Sequence, residues 1–236
     1  MSGFETTHWS TVLAASSQSS GRARQALATL CQTYWYPLYV YLRRRGHSAE
    51  DAEDLTQGFF MRAFEKGTLG AADPERGRFR SFLLASLQHY VSHERDHVHA
   101  EKRGGATVLL PLEMQGAEGL YRREPPDDRT PEVVFDQRWA LSVLDRVAAR
   151  LREEFRRRGK EAVFDGLREH LIGDDDRLSY REIGARLGLS EVGARVAVYR
   201  LRRRFGELLR REIGETVASP EDIEDEIRYL IRVVAR

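Results

Sequence analysis

Residues 178–204, LSYREIGARLGLSEVGARVAVYRLRRR, limit the possible fold more than any other stretch of the chain. Ser179 can cap a helix over 180–187, because a serine hydroxyl accepts a hydrogen bond from a first-turn N–H that otherwise has no partner. Gly188 can end that helix in the left-handed conformation, which a residue with a Cβ adopts only at a cost. Ser190 can then cap a second helix. Gly184 is small at the place where the two helices must approach. Ile183, Leu187, Leu189, Ala194 and Val198 supply an apolar face for both. Cap, turn, apolar spacing and charge agree on a helix-turn-helix, a unit whose second helix enters the DNA major groove.

The second helix is strongly basic. From Arg195 to Arg211 there are seven arginines against one acid, Glu207. Guanidinium forks suit phosphate oxygens and the O6/N7 edge of guanine alike. Helical spacing puts Arg195, Val196, Tyr199 and Arg200 toward one side, as candidates for base-edge contacts. The later arginines, from Arg202 through Arg203 and Arg204 to Arg211, are better placed for the DNA backbone. A basic run of this kind is otherwise a solvated helix face.

The 236 residues are 41% apolar and 32% charged, with a net charge of +1. That balance excludes a uniformly basic DNA-coating protein, so nucleic-acid contact must come from local patches. The one cysteine, Cys31, lies in an apolar helical pattern and reads as packing in a reducing cytoplasm. No apolar run approaches a membrane span, and the start MSGFETTHWS lacks the features of a signal peptide, so a soluble cytoplasmic protein is expected, with no membrane partner.

Helical periodicity fills most of the chain. Helices are expected over 7–15, 23–45 (with a kink or break at Pro37), 48–66 (capped by Ser48), 78–103, 132–155, 161–171 and 219–234. Residues 106–129 carry Pro111, Gly116, Gly119, Pro125 and Pro126 with little periodicity, and read as an extended linker. The expected fold is all-α: two small helical domains joined by a flexible linker, the C-terminal one containing the helix-turn-helix. The expected divisions are 1–104, 105–130, 131–213 and an acidic tail helix at 214–236.

Two upstream stretches carry chemistry. HSAEDAEDLTQGFFMRAFE, residues 47–65, crowds Glu50, Asp51, Glu53 and Asp54 into the first turns of a helix. Acids there favour the helix dipole, which accounts well for one or two of them. Four like charges repel one another and suit a basic partner surface. GRFRSFLLASLQHYVSHERDHVHAEKR, residues 77–103, interleaves aromatic rings with Arg78, Arg80, Gln88, His89 and His93. That mixture suits unstacked bases and phosphates of single-stranded nucleic acid, as well as serving as an ordinary amphipathic helix. His89, His93 and His97 fall at steps of four, yet neither a cysteine nor an HExxH pattern accompanies them, so no metal or other cofactor is expected. No catalytic triad or phosphate-binding loop is present, and no enzyme activity is expected.

In this order the pieces resemble the bacterial RNA polymerase sigma factors of the small, extracytoplasmic-function type. DAEDLTQGFFMRAFE looks like their region 2.2, GRFRSFLLASLQHYVSHER like regions 2.3 and 2.4, and LSYREIGARLGLSEVGARVAVYRLRRR like region 4.2. The resemblance implies that Asp51, Glu53, Asp54 and Gln57 contact core RNA polymerase at the β′ clamp helices. It implies that Arg80, Gln88, His89 and His93 lie near the minus-ten strand, and that Arg195, Val196, Tyr199, Arg200 and Arg203 lie in the minus-thirty-five groove. The implied partners are core polymerase, through the β′ clamp helices and the β flap, and promoter DNA. An anti-sigma factor or a regulatory kinase is a further possibility, and Thr56 is a conceivable phosphorylation site. The chain departs from the family pattern at Phe82, where a tryptophan is usual, at His89, where an asparagine is usual, and at Ala197. The tail, with six acids between Glu215 and Glu226, can cover the basic recognition helix or bind a regulator. The rival reading is a helix-turn-helix repressor or activator with no sigma role, and a second is a metal-binding protein built on the histidines.

Overall fold

The structure, a computed structural model, describes residues 21–65, 78–98, 117–124, 128–171, 179–214, 216–217 and 219–235. Among these, every regular element is a helix. In chain order they are α1 (Gly21–Arg44), α2 (Ala49–Glu65), α3 (Phe79–Val98), α4 (Ala117–Arg122), α5 (Pro131–Arg157), α6 (Glu161–Leu167), α7 (Tyr180–Leu187), α8 (Glu191–Gly214) and α9 (Asp222–Val234). A single 3₁₀ turn, Arg168–His170, follows α6. The all-α expectation holds for these residues. The helix expected over 7–15 and the residues 99–116 lie outside them.

Local chemistry places the helix ends. The Ser48 hydroxyl accepts from Asp51 N at 3.0 Å and donates to the Asp51 carboxylate at 2.7 Å, which fixes the start of α2. Pro37 does not end its helix: α1 runs on through it to Arg44. Tyr34, Leu38, Tyr41 and Leu42 on either side of Pro37 are all buried. Burying such side chains contributes about 1.5–3 kcal/mol each, enough together to offset a proline's cost of about 3 kcal/mol inside a helix.

The chain groups into two compact units, Met1–Ser142 with Gly214–Arg236, and Val143–Ile213. The start of α5 and all of α9 therefore group with α1–α4, whereas sequence placed residues 131–142 with the C-terminal helices and treated 214–236 as a separate tail. In this first unit the core is built from α1, α2 and α3. Tyr34 meets Phe79 edge-on with ring centroids 5.4 Å apart, and Phe60, Leu83 and Leu87 are fully or almost fully buried. Gly58 lets α3 come close, since a Cβ there would lie 2.5 Å from the Tyr90 hydroxyl.

Cys31 sits in this core, and burial pushes its thiol up to about 12. The thiol, not merely the cysteine count, is thus inert in the folded chain. We expect no reaction with a thiol-specific disulfide reagent at pH 8 until the unit unfolds, and full reaction in denaturant. Rapid labelling of the native protein would show that α1 is not packed as described.

In the second unit Val147, Leu151, Phe164, Leu167, Ile183, Val198 and Leu201 form the core. It is pinned by polar contacts. Arg204 forks onto Glu154 at 2.9 and 2.7 Å, and Arg146 pairs with Glu212 at 2.9 Å. The Arg204 hydrogen bonds hold the Glu154 carboxyl below the ordinary range.

Candidate nucleic-acid interface

The α7–α8 pair has the local geometry its sequence predicts. Ser179 is extended and forms a capping box with Glu182: Glu182 N donates to the Ser179 hydroxyl at 3.3 Å, and Ser179 N donates to the Glu182 carboxylate at 2.7 Å. Gly188 has φ 66°, and Ser190 caps α8 by accepting from Gly193 N at 3.1 Å. Ile183, Ala194 and Val198 face inward and Leu187 is half-buried, but Leu189, expected on the same face, is 39% exposed.

α8 leaves apolar as well as cationic side chains outside. Val192 is 73% exposed, Tyr199 65% and Val196 40%. Arg195, Arg200 and Arg203 are also exposed. The Arg195 guanidinium lies 5.3 Å from the centre of the Tyr180 ring and 3.7 Å from Glu191, and Arg203 reaches Glu207 at 3.1 Å. Apolar and cationic groups set side by side suit a groove that offers thymine methyls, base edges and phosphates together. All five residues expected for the minus-thirty-five groove are thus presented on one helix.

Sequence reasoning missed Val192, the most exposed apolar residue of the face. Its spacing of four from Val196 was the available signal. Two of the arginines expected on the DNA backbone are engaged within the protein instead. Arg202 donates to the His170 carbonyl at 2.7 Å, and Arg204 is committed to Glu154. Both lie where α8 packs on its own unit, so their charge is used in folding.

On α2, Asp51, Glu53 and Asp54 are exposed and Gln57 is half-buried. Asp51 is engaged in the Ser48 cap, which gives it a structural task; Glu53 and Asp54 lie beyond that cap. Thr56 is fully buried and its hydroxyl donates to the Ala52 carbonyl at 2.7 Å. It is therefore not presented to a kinase in this fold.

The four α3 residues expected near the minus-ten strand do not share a face. His89 and His93 are one turn apart and exposed, their ring centroids 4.4 Å apart. They line a cleft of about 240 Å³ with Phe59, Arg62, Ala63, Ser86 and Tyr90. Burial pushes the Tyr90 phenol up to about 12. Gln88 is exposed but donates to the Tyr41 hydroxyl at 2.8 Å. Arg80 lies about two and a half turns before His89, on the opposite side of the helix. It is only 4% exposed and bonds Asp136 at 3.1 Å. The side chains of His97 and His99 lie outside the described residues. Among the described residues no group of three or more His, Cys, Asp or Glu is placed to hold a metal ion, and no helix is long and apolar enough to cross a membrane.

No family model matches the chain, and no solved structure does. The chain is 27% identical over 182 residues to the ECF RNA polymerase sigma factor SigE of Mycolicibacterium smegmatis. The match takes in 77% of this chain and 61% of that relative. By sequence, the chain is thus similar to an extracytoplasmic-function sigma factor, a protein of the family that its acidic helix and its arginine-rich helix pair resemble.

Proposed function

We propose that this protein is a sigma factor: it docks on core RNA polymerase, directs it to a set of promoters and helps open the minus-ten region, without covalent chemistry of its own. The observation that carries the reading is the exposed Val192, Arg195, Val196, Tyr199, Arg200 and Arg203 face behind a fully capped turn, on a chain that also exposes Glu53 and Asp54 on α2. A repressor needs the first face and has no use for the second. In this reading residues 1–104 act as the region 2 part, 105–130 as the linker and 131–213 as the region 4 part. Asp51, Glu53, Asp54 and Gln57 meet the β′ clamp helices. The β flap would take the region 4 part. His89 and His93 are the α3 residues best placed for an unstacked base, because they border a cleft with an aromatic wall. An anti-sigma factor or a kinase acting elsewhere than Thr56 would be the regulator, and the cytoplasm the place of action.

The test is transcription from genomic fragments with purified bacterial core polymerase. Added protein should give promoter-specific starts and co-purify with the core. Sequence-specific DNA binding without either outcome would favour the repressor or activator reading.

A further inference from the structure

At about 100° per residue, α8 sorts its side chains into two opposite faces. Ala194, Val198, Leu201, Phe205 and Leu208 are buried and form the inner one. Val192, Val196, Tyr199 and Arg203 fall within about 60° of one another on the outer one. The first three of these are its exposed apolar part. Arg195 and Arg200 stand on opposite flanks of that stripe, each about 70° from its midline. Arg195 is braced there by the Tyr180 ring of α7 and by Glu191. The two cations therefore border the outer face, while its centre, toward the start of the helix, is hydrocarbon.

A valine can neither donate nor accept a hydrogen bond. Set over a base edge that presents only polar atoms, it would strip those atoms of water and pair with none of them. In the major groove the apolar group that a base pair offers is the C5 methyl of thymine. Val192 and Val196 lie one turn apart, about 6 Å along the axis, against about 3.4 Å between successive base pairs. One helix can thus set both side chains on methyls of nearby pairs, with the Tyr199 ring beyond them. Val192 and Val196 also belong to the first turns of α8, the part that a helix-turn-helix lays on base edges. Arg195 and Arg200 face the two rims of a groove about 12 Å wide, where the phosphates are. A protein partner for this face would have to bring apolar groups with acids on both sides of them. Duplex DNA brings methyls between two rows of phosphates in its ordinary structure.

We propose that Val192, Val196 and Tyr199 read thymine methyl groups, and that Arg195 and Arg200 hold the phosphates on the two rims. The sites this chain prefers are then marked by thymines beneath the start of α8. The inference rests on the reading of α8 as a promoter-binding helix and adds which group on the DNA that helix selects.

The test uses the full-length protein, alone and in complex with purified core polymerase, on the duplex it selects most strongly from genomic fragments. Each thymine of the bound site is replaced in turn by deoxyuridine, which removes the methyl and leaves every hydrogen-bonding group in place. At two or more positions wild-type binding should weaken about four-fold, the effect of taking one methyl out of hydrocarbon contact. The Val192→Ser/Val196→Ser variant changes two residues outside the core, and serine and valine have similar helix propensities, so its fold is kept. Its discrimination between thymine and deoxyuridine at those positions should fall below two-fold. Arg200→Gln should weaken both duplexes by the same factor and make binding less dependent on salt. Wild-type binding indifferent to every replacement overturns the proposal, and so does full methyl dependence in the double serine variant. If neither the chain nor its polymerase complex selects any duplex, the promoter-binding reading fails and the proposal with it. Selective binding without methyl dependence sinks the proposal alone.

Discussion

Replacing Gly184 with leucine is expected to abolish specific binding to duplex DNA. A Cβ at this position would lie 2.6 Å from the Leu189 carbonyl oxygen and 3.3 Å from Ser190 backbone atoms. The obstacle is main chain, and that main chain is already committed: Leu189 N donates to the Gly184 carbonyl at 2.8 Å, and the Gly188 N–H points to the same oxygen. It cannot move aside without undoing the turn that orients α8. Overpacking against a rigid neighbour costs about 3 kcal/mol at the upper end of its usual range, most of it local to α7 and α8. Gly188→Ala makes the useful comparison. Nothing lies within 4 Å of its would-be Cβ, so it faces only the left-handed backbone penalty of about 1–2 kcal/mol. Thermal unfolding and duplex binding should therefore rank wild type above Gly188→Ala above Gly184→Leu. If the two glycine variants were equally stable, close approach would not be the reason for glycine at 184.

Charge reversal at Glu53 and Asp54 together is expected to remove core-polymerase binding while leaving the fold intact. Both side chains are exposed, and surface substitutions of this kind usually stay within about 0.5 kcal/mol of wild-type stability. At an interface the same change sets like charges against each other, which costs several kcal/mol. A loss of at least roughly a hundred-fold in affinity follows. The single Asp51→Lys variant is a poorer probe, because Asp51 also closes the Ser48 cap and its loss would mix folding with docking. The measurement is co-purification and a titration with core polymerase, alongside a melting curve. Wild-type affinity in the double variant would mean that the acids of α2 serve the helix dipole and nothing more.

Much of the α7–α8 unit was legible in the sequence because its determinants are local. Caps at Ser179 and Ser190, the left-handed Gly188 and the tight Gly184 all act within a few residues, and residue type alone signals them. The exposed acids of α2 were legible for the same reason. The minus-ten candidates were not legible as a set. Residue chemistry grouped Arg80 with His89 and His93, but helical pitch puts them on opposite sides of α3, and only packing tells which side is covered. The arginine run of α8 had the same weakness. Composition counts seven cations alike, whereas Arg202 and Arg204 are turned inward to His170 and Glu154.

By itself, then, the sequence determined the longer described helices, the serine caps of α2, α7 and α8 and the existence of two charged faces, since these depend on periodicity and on contacts between near neighbours, whereas the short helix α4 fell in a stretch read as linker. Tertiary structure decided where the ends of the chain go. Nothing local in PEDIEDEIRYLIRVV says that Glu226 meets Arg80, or that residues 117–124, which read as a tether, lie along α1. Pairings between distant residues depend on which buried faces match across the fold, and on whether a charge taken out of water finds its partner there.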